Sequence, residues 1–450
     1  MKEKKIAKTF LPICIAVPAF AFGAAFVPSV TDVTMTQAQD RTVTITYKLA
    51  NAPAVVTLDI QTNTTDGAWV SIGGENISGV KSGVPKGDVW KVVEGDADDV
   101  HTITWRPDRS AWVDSRVPAN GARAVVTAWA TNAAPDYMVF DLAATSNQRV
   151  SYYPAEEFLP GGLLTNPDYR TTRLVMRKIP ANGAVFTMGS VAEAGRLTNE
   201  SVHSATLNND YYLGVFEVTQ TQWALVMGSN PSWFTTEGAM RPVECVSWQM
   251  ARTKQGSEEY NAAVPENPIE GSFMSELRKL SGGKIDFDLP YEAEWEYACR
   301  AGNGEGYWGN GLPIRQSNVP GRIKTNQKDT TLAIISSGNE EIPSSEKSEE
   351  IAPDSATSIV GTYGKNNFGL YDMHGNVWEW CLDMYLEDIS GYNGAPVMSG
   401  GVNSGRRNVL RGGSWNEVFG YARSAYRKYT PFNKNCAHYG IRVKCTTGAK

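Results

Sequence analysis

Glycine and tryptophan together constrain this chain more than any other feature: 42 of one and 13 of the other among 450 residues. Glycine interrupts helices and permits turns at positive φ, while large aromatic rings anchor irregular chain. The combination points to a loop-rich domain and away from a helical bundle. At roughly 150 residues per domain, the length predicts two or three domains. A hydrophobic fraction of 42% and a charged fraction of 20% are globular values, which excludes a wholly disordered or fibrous chain. A net charge of -6 leaves no basic stripe of the kind a nucleic-acid binder needs. The histidines His101, His203, His374 and His438 lie far apart, so a multi-histidine metal centre would need nearly all of them.

Residues 1–25 read as a signal peptide. Lys2, Lys4, Lys5 and Lys8 precede an apolar run over 10–27, and Ala19, Ala21 and 23–25 offer small residues for cleavage. Pro12 and Pro18 disfavour a spanning helix there. The expectation is an exported chain, secreted, periplasmic or cell-surface, with no membrane span after cleavage. Cys245, Cys299, Cys381, Cys436 and Cys445 would then meet oxidising conditions, where pairing is allowed. Their odd number leaves at least one thiol unpaired within the chain.

Residues 31–143 alternate with period two at 42–47, 55–60, 101–105 and 124–129. This predicts an all-β sandwich of immunoglobulin-like or fibronectin-like type, a common spacer. Pro154, Pro160, Gly161, Gly162 and Pro167 suggest a linker over 144–173. A second domain is expected over 174–447. Thr219 and Gln222 form a capping box before a helix ending near Gly228. Further helices are expected over 272–280 and 291–300. Residues 322–358 turn polar and read as a disordered insertion.

Gly304, Gly306 and Gly309 fit G-x-G-x-x-G but follow a helix rather than a strand, so the phosphate cradle is missing. Glu292, Glu294 and Glu296 sit on one short helix, with Glu292 and Glu296 on one face. A paired-carboxylate site is conceivable there, but the pattern reads as a charged outer face. No G-x-S-x-G, H-E-x-x-H or Walker motif is present.

Several stretches carry a resemblance. They are Phe186-Thr187-Met188-Gly189-Ser190, Glu217-Val218-Thr219-Gln220-Thr221-Gln222-Trp223 and Leu289-Pro290-Tyr291-Glu292-Ala293-Glu294-Trp295-Glu296-Tyr297-Ala298. Gly369 to Trp380 (GLYDMHGNVWEW), Leu410 to Trp415 (LRGGSW) and Gly440-Ile441-Arg442-Val443 complete them. The second domain resembles the formylglycine-generating enzyme (sulfatase-modifying factor) family. The resemblance implies that family's variant of the C-type-lectin-like fold, an α+β domain rich in irregular chain. The family's enzymes bind copper with two cysteines just after the GGS-aromatic motif and convert a substrate cysteine to formylglycine. Those positions fall here on Glu417 and Ala422, neither of which offers a thiolate to soft Cu(I), so copper is not expected. The family's calcium site maps onto Asp372, Gly375, Val377 and Glu379, whose hard oxygens suit Ca²⁺.

The resemblance therefore implies a binding or structural module more than an oxidase. Its surface or pocket is expected at Trp378, Ser414, Trp415, Glu417, Phe419, Tyr421, Tyr426, Tyr429 and Tyr439, facing an extracytoplasmic protein or glycan. Similar lectin-like proteins are diversified by retroelements in this segment, which makes a diversified ligand-binding protein one alternative. A formylglycine-generating oxidase with relocated ligands is the other.

Overall fold

The computed structural model describes residues 27–446, less 80–82, 96, 111, 113–115, 118–120, 146–148, 192, 194, 254–255, 257–262, 305, 307–321, 324–355 and 400–405. The expected signal peptide and most of the expected insertion lie outside the described residues. No helix among the described residues is long and apolar enough to cross a membrane. Among the described residues, strand is the main regular structure, with a few short helices and much irregular chain.

Two antiparallel sheets form the N-terminal region. One runs in the order Ser29–Gln37, Val43–Ala50, Val100–Trp105, Lys86–Gly87. The other centres on Ala54–Asn63, which pairs with Trp69–Ser71, Lys91–Val93 and Ala122–Ala130. Register follows the alternation in the sequence: Val43 lies opposite Trp105, Ile45 opposite Ile103 and Tyr47 opposite His101. Every second side chain of Val43–Ala50 is thereby buried, and Ile45, Leu58, Ile60 and Trp105 share one core. Each such fully buried aliphatic contributes about 1.5–3 kcal/mol relative to exposure.

The segment expected as a linker is not an open one. Val150–Tyr153 pairs with Tyr137–Asp141, which pairs with Arg173–Ile179. Tyr152, Tyr153, Phe158, Leu159, Leu163 and Tyr169 are buried, so the prolines and glycines shape compact turns between packed rings. The same five-stranded sheet continues through Tyr211–Gly214 to Lys444–Thr446. The last described strand therefore closes against one from the start of the C-terminal domain. A four-stranded sheet, ordered Lys428–Pro431, Arg407–Arg411, Trp378–Met384, Tyr439–Gly440, carries Trp378, Glu379, Tyr429 and Tyr439 of the expected site residues, and the others lie on its connections.

The helices are set by their ends. Thr219 accepts from the Gln222 N–H and Gln222 reaches back to the Thr219 N–H at 2.9 Å, while Gly228 ends the helix Gln220–Met227 at φ +73°. Ser272 caps Phe273–Leu280. The helix Glu292–Arg300 opens with Glu294 accepting from the Tyr291 N–H at 2.8 Å. A further helix, Trp248–Arg252, is capped by Ser247.

Candidate functional site

The helix Glu292–Arg300 does not present a charged outer face. Glu292, Glu294 and Glu296 are all buried. Arg427 donates to both oxygens of Glu292 at 2.6 and 2.9 Å, and Arg411 donates to Glu292 at 3.3 Å and also to Glu296. Arg300 holds the other oxygen of Glu296 at 2.9 Å, and Lys444 approaches Glu294 at 3.2 Å. Burial is the largest influence on Glu296 and pushes its pKa up. Arg300 and Arg411 together outweigh it, leaving the group below its ordinary value. A carboxylate so held is a structural anion, not a proton donor. These pairs tie the helix to the strand Arg407–Arg411 and to the segment behind it.

A second buried cluster contains part of the expected metal set. Glu379 accepts three bonds from Arg442 at 2.6–3.0 Å and one from Trp295 Nε1 at 2.7 Å, so both its oxygens are occupied. Asp372 accepts from the Gly361 N–H at 2.6 Å through Oδ2, while its buried Oδ1 has no hydrogen-bond partner. Burial raises Asp372 to about 6, with Glu379 adding and Gly361 and Arg442 opposing. Glu217 accepts from Asn376 Nδ2 at 2.6 Å and the Val377 N–H at 3.1 Å. Burial, then Asp372 and Glu379, pushes Glu217 well above the usual carboxylate range. Gly375 is required here: its φ is +106° and a Cβ would meet the Arg322 carbonyl at 2.2 Å. Among the described residues no three His, Cys, Asp or Glu side chains are grouped to hold a metal. The open oxygen of Asp372 suits a hard cation, whereas Glu379 is taken up by Arg442.

Glu417 and Ala422, the positions the resemblance assigns to thiols, make other contacts. Glu417 Oε1 accepts from Trp378 Nε1 at 3.2 Å and faces Lys428 Nζ at 4.0 Å, with that ammonium 5.3 Å above the Trp378 ring. Ala422 is fully buried and its carbonyl accepts from His374 Nδ1 at 2.7 Å. Burial lowers His374 to about 4, against the pull of that carbonyl, so the imidazole is neutral. Cys299 lies 3.7 Å from His374 Nε2 and 3.5 Å from Ser424 Oγ, and burial pushes its thiol up to about 12. Burial likewise raises Cys436 to about 12 and pushes Cys245, Cys381 and Cys445 up. A cysteine that is a thiolate at neutral pH, as fast reaction or copper binding requires, needs the opposite shift.

The expected aromatic surface is largely interior. Trp378, Ser414, Trp415, Tyr426 and Tyr439 are buried. Trp415 Nε1 donates to the Ala437 carbonyl at 2.8 Å, and its ring stacks on His438 at 5.1 Å. Tyr426 touches Trp378 and Tyr421, and Tyr439 lies edge-on to Trp380. Tyr421 and Tyr429 are half-buried, Tyr429 against Tyr385 at 3.9 Å. The Phe419 side chain lies outside the described residues. What reaches solvent beside this web is Trp233, 54% exposed, on a loop whose Phe234 packs edge-on against Trp415 at 5.1 Å. Trp233, Lys428, Glu217 and the arginine partners were missed as site residues. Glu217 and Arg442 sit inside the quoted family stretches, so the motifs themselves held that signal.

Residues 167–446 match the family of sulfatase-modifying factor enzyme 1-like domains. The chain belongs to that family. The chaperone protein LppX of Paenibacillus barcinonensis is 31% identical over 208 residues, covering 43% of this chain and 69% of its own length. The formylglycine-generating enzyme of Thermomonospora curvata is 30% identical over 161 residues, 34% of this chain and 48% of the relative. That of Bos taurus is 24% identical over 335 residues, 67% of this chain and 82% of the relative. Among solved structures, PvdO from Pseudomonas aeruginosa gives a TM-score of 0.45 at 21% identity, covering 61% of this chain and 94% of that one. Treponema denticola variable protein 1 gives 0.44 at 25%, covering 61% and 96%.

Proposed function

We propose that the chain is an exported binding protein, in which a sulfatase-modifying-factor-type domain presents a surface to an extracytoplasmic protein or glycan. The N-terminal sheets act as an immunoglobulin-like or fibronectin-like spacer. The observation that carries this reading is the state of the two thiol positions. Glu417 is tied to Trp378 and Lys428, and Ala422 is sealed against His374. A relative named a chaperone protein supports it. The exposed Trp233, next in the chain to the Phe234 that packs on Trp415, is the side chain best placed to meet a ligand, because a rigid ring gives large contact area at small entropic cost. Asp372 with the carbonyls of Gly375 and Val377 would hold calcium as a structural ion.

Binding of the full chain to a glycan array and to an unfolded polypeptide tests the reading, with Trp233→Ala beside the wild type. Binding that disappears in the variant at unchanged melting temperature is expected. Loss of no binding in Trp233→Ala would move the surface elsewhere. Chelator tests the ion: it should lower the melting temperature of the wild type and leave Asp372→Ala unmoved, since a ligand of the folded state alone stabilises by mass action.

A further inference from the structure

Of the five described cysteines, Cys299, Cys381 and Cys445 are fully buried, and the two that reach solvent are Cys245 and Cys436. Those two are also neighbours. The Cys245 N–H donates to the Cys436 carbonyl at 2.9 Å, and the next residue, Val246, donates to the Tyr439 carbonyl at 3.2 Å. Gln249 donates to Phe432 at 3.0 Å, so the two segments run side by side over several residues. One N–H···O bond between two residues brings their Cα atoms near the roughly 4.4–6.8 Å that a disulfide spans, and the Cys436 thiol is close enough to be one of the charges acting on the Cys245 thiol. Cys245 also holds φ +59°, a left-handed conformation that few residues other than glycine adopt. Each segment is fixed by other contacts: Glu244 accepts from Phe234 on one side, and Trp415 donates to Ala437 on the other.

We infer that Cys245 and Cys436 form a reversible disulfide that closes the Trp233 loop onto the segment 432–439. The oxidant is an external disulfide, either a small-molecule one or that of a thiol–disulfide oxidoreductase. One of the two thiols, deprotonated, attacks it to give a mixed disulfide and releases one external thiol. The other cysteine, deprotonated, attacks the chain's own sulfur in that mixed disulfide, forms the Cys245–Cys436 bond and releases the second external thiol. Two electrons pass from the pair to the external disulfide, and the two protons end on the released thiols. Burial keeps both thiols protonated at neutral pH, so the exchange is slow there and quickens as pH rises. The inference does not depend on the binding reading.

The test uses the full chain, reduced and then incubated folded with oxidised glutathione, followed by alkylation and peptide mass mapping. Two alkylation sites should disappear together, and one cross-linked peptide pair should contain Cys245 and Cys436. The oxidised wild type should melt about 5 °C or more above the reduced form, because the bond closes a long loop. Cys245→Ser and Cys436→Ser should each abolish that difference. Separate glutathione adducts on the two residues, a cross-link through another cysteine, or two thiols that stay alkylatable after prolonged oxidation would each overturn the inference.

Discussion

Between residues 27 and 134 the described polar side chains withdrawn from solvent are Thr57, Ser78 and His101, none of them an acid, a lysine or an arginine. In the C-terminal domain they include Glu200, Glu217, Glu292, Glu294, Glu296, Asp372, Glu379 and Asp383, with Arg411, Arg423, Arg427, Arg442 and Lys444 among them. The first region is held by strand pairing and apolar alternation. The second has long irregular connections, and its buried arginines bond backbone carbonyls as well as carboxylates: Arg427 reaches Asn199 and Leu386, and Arg442 reaches Gly214, Val215 and Tyr371. Loops lack ladder partners, so fixed guanidinium forks satisfy carbonyls that a sheet would pair. The lesson is that a loop-rich interior can be organised by charge where a sheet interior is organised by period.

The strongest way to break this contrast is to remove one shared cation. Arg411→Ala strips partners from Glu292 and Glu296 together and is expected to cost about 3–5 kcal/mol in denaturant unfolding. Lys279→Ala removes a 51%-exposed partner of Glu270 and Glu276 and should leave the unfolding midpoint nearly unchanged. Equal losses would mean that burial of the charges is not what matters. In the sheets, Leu58→Ala should cost about 2–5 kcal/mol through the cavity it leaves, with little dependence on pH.

The pH dependence sharpens the same contrast. Asp383 is raised to about 7 by burial and then by Glu292, and it accepts from Tyr392, Val397 and Glu292. Between about pH 4 and pH 7 the folded chain keeps a proton there that the unfolded chain has lost. Stability of this domain should therefore fall as pH rises through that window, by up to about 1.4 kcal/mol per pH unit, and level off above it. Asp383→Asn should flatten that limb in urea titrations run from pH 4 to 9. A profile that rises across the window would contradict the assignment. The smallest expected effect is on stability in Trp233→Ala, within about 0.5 kcal/mol of the wild type, since its exposed ring contributes little to the core.

The helix Gln220–Met227 was legible to the residue, because Thr219, Gln222 and Gly228 are local signals with local causes. Trp248–Arg252 was not, since five residues make little more than one turn and no repeat of the period. The buried Glu292 and Glu296 look the same at i and i+4 as a solvated face would. Their partners Arg411 and Arg427 lie 115 to 135 residues further along, where no local pattern can reach. Turn residues over 144–173 resembled a linker for a similar reason, as the rings they pack are spaced irregularly. For the expected site, the family motifs carried no sign of which side chains turn inward. Trp378 and Trp415 proved interior, and Trp233, outside every motif, proved exposed.

The central proposal is that Glu417 and Ala422, at the positions where the resemblance places two thiols, leave this scaffold without the family's copper-thiolate chemistry. The purified full chain, given copper, oxygen, a reductant and a cysteine peptide of the sulfatase type, tests it by mass spectrometry of the peptide. The account predicts a peptide of unchanged mass. A peptide that loses its sulfur and gains an aldehyde would contradict it, and would mean that one of the five remaining cysteines binds the metal despite its burial.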